Sequence, residues 1–178
     1  VSHFRLSIHL IIAFLIISLV LWNYFKIKIN YKINKKLKFY LPLIFLTLIY
    51  LQIIIGAFVS GMDAGKIYNS WPLMGSTLFP DDNKFINIFN FSAFSDPSLV
   101  QFMHRNLAYI ILLFYLFITI KIYTNKLTSL YFSIIIVGFL LILQIILGIL
   151  TLLYGAQIYL SSMHQISSIF LVSYSVYF

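Results

Sequence analysis

Long apolar runs along this chain are separated by short polar interruptions, and the runs exceed the length of the core helices or strands of a water-soluble domain. A membrane-crossing helix needs about 20 mostly apolar residues. Five stretches meet that need: residues 4–25, 39–60, 98–123, 127–154 and 158–178. The pattern predicts an all-α membrane protein with five transmembrane helices, because a helix satisfies its own backbone hydrogen bonds in lipid. Composition agrees, with 62% hydrophobic and 9% charged residues and a mean hydropathy of +1.00.

The formal charge of +8 does not point to nucleic acid. Lys26, Lys28, Lys32, Lys35, Lys36 and Lys38 all fall in one short connection, which is an orientation signal rather than a binding patch. The connection 61–97 carries Asp63, Asp81, Asp82 and Asp96 against Lys66 and Lys84, and the next holds only Lys121 and Lys126. By the positive-inside rule the lysine loops are cytoplasmic and 61–97 lies outside. The uncharged turn at Gly155 to Gln157 is then outside as well, and so is Val1. A chain that opens at Val1 with a span already descending reads as a fragment. It has no cysteine, so the outer face offers no disulfide and no thiolate ligand.

Two spans that rise toward the outer side share a hexapeptide, "LQIIIG" at 51–56 and "LQIILG" at 143–148. Either a duplication or helix packing through a polar and a small residue accounts for it. The histidines favour duplication: each descending span carries one near its outer end, His9, His104 and His164, and neither rising span has any. At about 1.5 Å per residue these side chains lie within roughly two turns of the helix ends. The organisation expected is a last helix of a truncated N-terminal bundle at 1–25, a cytoplasmic lysine-rich linker at 26–38, and an antiparallel four-helix bundle at 39–178 with the outer loop 61–97. His3 precedes the first span on a different face from His9 and reads as an interfacial loop residue.

An intramembrane histidine is either a neutral imidazole bonded to a neighbouring helix or a functional group. Two at matched depth across a four-helix core can supply both axial positions of a haem iron. Zinc would want three or four ligands, and a proton relay would want carboxylates within the spans, where this sequence has none. Arg105 projects about 100° around the helix from His104. It suits either pairing with a carboxylate, a haem propionate included, or snorkelling at a helix end. Residues 56–75 contain no phosphate-cradling glycine pattern and read as an ordered loop anchored by Trp71 and Pro72.

The segments "GAFVSGMDAGKIYNSWPLMG", "VQFMHRNLAY", "LQIILGILTLLY" and "SSMHQIS", in that order, resemble the second half of haem A synthase, and "VSHFRLSIHLIIAFLI" resembles the last helix of its first half. The absence of cysteine places the chain nearer the mitochondrial-type branch. The resemblance implies an eight-span protein of two similar bundles, with His104 and His164 as axial ligands of haem b. It implies that His9 belongs to the substrate-haem site of the first bundle. There a ring methyl of haem O is oxygenated twice, giving a hydrated aldehyde that loses water to the formyl of haem A. The implied partners are haem O, the missing N-terminal bundle, the lipid bilayer, haem O synthase and an electron donor. The family's functional glutamate would lie upstream of Val1, and this sequence has no glutamate, so no catalytic residue is expected here and the chain alone should not make haem A. A b-type cytochrome subunit exchanging electrons with quinone is the alternative. A transporter fits less well, since broken helix pairs and midplane charges are lacking.

Overall fold

The computed structural model describes residues 2–28 and 40–178. Val1, Phe39 and the linker lysines Lys32, Lys35, Lys36 and Lys38 lie outside the described residues. The described chain forms five long helices: α1 (His3–Lys28), α2 (Tyr40–Gly61), α3 (Pro97–Thr124), α4 (Tyr131–Leu153) and α5 (Ile158–Tyr177). Four helical segments are long and apolar enough to cross a membrane: His3–Lys28, Tyr40–Gly61, Pro97–Thr124 and Thr128–Leu153. In α5, Ser161, Ser162, His164, Gln165, Ser167 and Ser168 dilute the apolar run, and it is not among the four.

The helix boundaries have local causes. The Asp96 carboxylate accepts the Leu99 N–H at 3.0 Å and Pro97 follows it, a cap and a first-turn proline that start α3. Pro42 sits in the first turn of α2, where its missing N–H costs nothing. The fourth helix begins later than the apolar pattern suggests. Lys126 takes a left-handed φ of 52°, and Thr128–Leu130 form a separate 3-10 turn before α4. Gly155 and Ala156, both with positive φ, turn the chain from α4 into α5.

The helices meet through buried aliphatic and aromatic side chains, among them Phe45, Ile49, Ile118, Ile134, Val137 and Val172. α2 packs on α3, α4 on α5, α2 on α5 and α3 on α4, while α1 lies against α2 and α5. Polar ties stitch these seams. The Ser18 and Tyr50 hydroxyls are 2.6 Å apart, and Tyr50 also donates to the Phe14 carbonyl at 3.0 Å, joining α1 to α2. Tyr115 of α3 donates to the Ile134 carbonyl of α4 at 3.0 Å, with Gly138 making room for the ring. Much of the remaining helix surface is exposed Ile, Leu and Phe, such as Ile16, Leu113, Ile135 and Phe139. A lipid-facing surface has that character.

The 62–96 loop is held together by its own polar groups. Asp81 accepts from the Ser76 N–H at 2.9 Å and from the Ser76 and Thr77 hydroxyls. Asp82 accepts from Ser98 at 2.6 Å and Tyr68 at 3.0 Å, which fastens the loop to the start of α3. Asn69 reaches the other way and donates to the Leu152 carbonyl of α4 at 2.8 Å. The loop is thereby tied to both α3 and α4.

Candidate functional site

His104 lies on α3 two turns below its capped start, half-buried, facing α2. The Gln52 amide donates to the His104 main-chain carbonyl at 3.0 Å and sits 3.3 Å from His104 Nε2. One helical turn along α2 is Gly56, where an added Cβ would fall 3.0 Å from His104 Cε1. The imidazole thus occupies the space that glycine leaves. Its Nδ1 is buried and has no hydrogen-bond partner.

His164 on α5 repeats this arrangement against α4. The Gln144 amide donates to the His164 carbonyl at 3.1 Å, and a Cβ on Gly148 would fall 3.2 Å from His164 Cε1. His164 Nδ1 is likewise buried and without a partner. Gln52 and Gly56 are the polar and small residues of the first hexapeptide, and Gln144 and Gly148 those of the second. The sequence repeat is therefore a structural repeat: a glutamine holds the histidine's backbone and a glycine one turn on receives its ring. An unpartnered buried polar nitrogen costs about 1–3 kcal/mol, and the two at His104 and His164 recur at matched positions of the repeat.

The other candidates are placed differently. His9 is exposed on α1 and is not brought to His104 or His164. His3 packs against Phe4 and Phe58, with its Cβ close to Gly61 at the end of α2, so it is a helix-contact residue rather than a loop residue. Arg105 turns away from the imidazoles to the loop and donates to the carbonyls of Tyr68 at 2.9 Å, Ser70 at 2.9 Å and Leu73 at 3.2 Å. Its Nε is buried with no partner. No group of three or more His, Cys, Asp or Glu able to hold a metal ion occurs among the described residues.

A family model described as cytochrome oxidase assembly protein, COX15-CtaA, matches residues 1–176. The chain belongs to this cytochrome oxidase assembly family. Among its relatives, the haem A synthase of Pelagibacter ubique (strain HTCC1062) is 42% identical over 177 residues, covering 97% of this chain and 51% of that protein. The haem A synthase of Rickettsia felis is 41% identical over 181 residues, 97% of this chain and 52% of its own length. That of Wolbachia pipientis wMel is 38% identical over 183 residues, 100% of this chain and 50% of its own. The chain spans about half the length of the curated relatives it matches. No solved structure matches it. Membership of this family, together with four apolar helices of spanning length, makes the chain part of an integral membrane protein.

Within that family frame, sequence reasoning found the two histidines and the repeated hexapeptide but not their connection. Ser167, Gln101 and Asn69 went unnoticed. Ser167 shares the Gln144 amide and donates to the His164 carbonyl at 3.1 Å, and buried Gln101 donates to the Tyr68 carbonyl at 3.1 Å. For Ser167 and Gln101 the available signal was a polar residue three positions from a histidine in an apolar helix, and Asn69, in the loop, carried none.

Proposed function

We propose that this chain is the haem b-holding half of a haem A synthase, the enzyme that oxidises a ring methyl of haem O to the formyl of haem A. The observation that carries the reading is the duplicated Gln–Gly–His arrangement, with its two buried, unpartnered Nδ1 atoms at matched positions. Two neutral imidazoles with no thiolate or carboxylate beside them suit a haem iron better than zinc. His104 and His164 are the axial ligands in this reading, and the haem b they hold supplies one-electron transfer.

The residues around them hold and orient. Gln52 and Gln144 fix the backbone carrying each imidazole, and Gly56 and Gly148 leave room for the rings. Arg105 locks the loop over this end of the helices, and its remaining buried N–H is available to a propionate. Contacts such as Phe45 with Tyr115, Gln52 with His104, and Gln144 with Ser167 support an antiparallel four-helix bundle over 39–178, α5 included, as the fifth span. The lysine connections then face the cytoplasm and the 61–97 loop faces outward. The bacterial relatives favour a plasma membrane.

In this reading residues 1–25 close an N-terminal bundle, with 26–38 as linker, and His9 on the exposed face of α1 points toward the substrate-haem site of that bundle. Haem O, haem O synthase and an electron donor are the partners. The chain alone holds haem b without converting haem O, since the catalytic side lies in the part of its relatives it does not span.

The test is a reduced-minus-oxidised visible spectrum of the detergent-purified chain beside His104→Ala and His164→Ala. A low-spin b-type signal in the parent, lost or turned high-spin in each variant, is the expected result. A parent spectrum retained in both variants, or haem A formed from haem O by the chain alone, would overturn the respective part of the reading.

A further inference from the structure

The two halves of the repeat are alike in outline and unlike in one detail. His164 is tied at its carbonyl by two donors, the Gln144 amide at 3.1 Å and the Ser167 hydroxyl at 3.1 Å. Gln144 and Ser167 also bond to each other. On α3 the position three residues beyond His104 is Leu107, which has no hydroxyl to offer. There the carbonyl takes one side-chain donor, Gln52, and the same amide lies 3.3 Å from the imidazole Nε2. Gln52 Oε1 is buried with no partner, so this glutamine has no second anchor of its own.

We infer that Gln52 and Gln144 are positioning residues for the two imidazoles, and that they are not equivalent. Gln52 alone fixes the backbone and ring of His104, whereas Gln144 shares the hold on His164 with Ser167. The inference rests on the reading of His104 and His164 as haem ligands for its consequence, though the contacts exist without haem. A ring held at its backbone and seated on a glycine has one free torsional coordinate that matters, the rotation of the imidazole plane. That rotation sets how an axial ligand meets iron, and partners outside the ligand set tune it. On the His164 side Gln144 and Ser167 both hold the carbonyl and neither bonds the ring, so the rotation rests on the seat at Gly148 and does not depend on the glutamine. On the His104 side it depends on one amide and on the close approach of Gly56. The His104 end is therefore the one at which small changes alter the iron.

The variants are Gln52→Leu, Gln144→Leu, Gln144→Leu with Ser167→Ala, and Gly56→Ala, each in the full detergent-solubilised chain with helix content followed by circular dichroism. The haem-free readout is the ring nitrogen resonances of 15N-labelled histidine. Gln52→Leu is expected to move those of His104, and Gln144→Leu to leave those of His164 in place. The haem-bound readout is the low-spin electron paramagnetic resonance signal together with haem retention. Gln52→Leu should shift the signal and weaken retention by about 10-fold or more, the lower end of what loss of a ligand's outer partner costs. Gln144→Leu should do less, and the double variant should approach Gln52→Leu. Gly56→Ala keeps both glutamines and should shift the same signal by displacing the ring.

Equal effects of the two single glutamine variants, or unmoved His104 resonances in Gln52→Leu, would overturn the inference. A parent chain without any haem signal would instead count against the haem reading. The haem-free resonances would still decide whether Gln52 and Gln144 hold their histidines unequally.

Discussion

Arg105 and Ser70 are joined by a 2.9 Å hydrogen bond from the guanidinium to the main-chain carbonyl, which fastens the loop to the residue next to His104. The same guanidinium holds the carbonyls of Tyr68 and Leu73. Removing it leaves three carbonyls without this charged donor. Arg105→Ala should lower stability by about 2 kcal/mol or more, the scale of one or two hydrogen bonds to a charged group. Arg105→Lys should recover only part, because a point charge cannot span three acceptors as a planar fork does. Thermal unfolding in detergent and hydrogen exchange at residues 68–73 measure this, and exchange unchanged in Arg105→Ala would show that the loop is held by Asp82 and Asn69 instead.

Gly138 and Tyr115 form the tightest glycine contact of the α3–α4 seam, with the tyrosine hydroxyl standing where a Cβ would be. Gly138→Ala is expected to cost about 1–3 kcal/mol, the usual penalty for overpacking. It should also break the hydroxyl's bond to the Ile134 carbonyl. Tyr115→Phe removes the nearest clashing atom and leaves Cζ at 2.7 Å, so the double variant should be more stable than the sum of the singles implies without recovering the parent's stability. Strict additivity would mean that the seam opens elsewhere to admit the methyl group.

The five helices were legible because lipid forces long apolar runs into helices whatever their propensity. The β-branched residues of α2 and α4 therefore did not mislead. The late start of α4 was not legible, since the left-handed turn at Lys126 leaves no apolar mark. In α5 the residues that weaken the spanning pattern include those of the site itself, His164 and Ser167. The hexapeptide was visible as a repeat but ambiguous between duplication and packing, because its meaning lies in the register between helices. That Gln52 meets the His104 carbonyl, or that Arg105 spends its guanidinium on the loop, is fixed by tertiary placement. Sequence spacing reaches only the neighbours on one helix face.

The loop should respond to acid and not to mild changes of pH. The Ser76 N–H holds Asp81 below the usual carboxylate range despite some desolvation, with help from the Thr77 and Ser76 hydroxyls. Burial pushes Asp82 up, and hydrogen bonds from Ser98, Tyr68 and Asn83 more than offset it, so its pKa is also lowered. A carboxylate with a depressed folded-state pKa contributes its full stabilisation above the unfolded value of about 3.9 and loses it as pH falls through the folded value. Trp71, whose indole N–H donates to the Tyr109 hydroxyl at 3.0 Å, reports on the loop. In a Trp22→Phe background its fluorescence should be flat from about pH 8 to 5 and change only below about pH 4. A transition near neutrality would point to a group other than these aspartates. Asp82→Asn should reproduce part of the acid change at neutral pH, since the amide accepts from Ser98 without the charge.

In the proposed reading His9 belongs to the substrate-haem site and not to the haem b site. It is exposed on α1, whereas the buried positions of that helix, Ser7, Phe14 and Ser18, face the neighbouring helices. In lipid an exposed imidazole is costly unless something covers it. The half of its relatives that this chain does not span is the natural cover in the proposed reading. His9→Ala in this chain should therefore leave the b-type spectrum and thermal stability within error of the parent, while His104→Ala and His164→Ala change both. Joined to the half of a relative that it does not span, the chain carrying His9→Ala should instead fail to form haem A and keep the haem b signal, which product analysis and difference spectra resolve together. Loss of the low-spin signal in His9→Ala of the isolated chain would reassign one of the two axial positions, because the signal can then no longer belong to His104 and His164 alone.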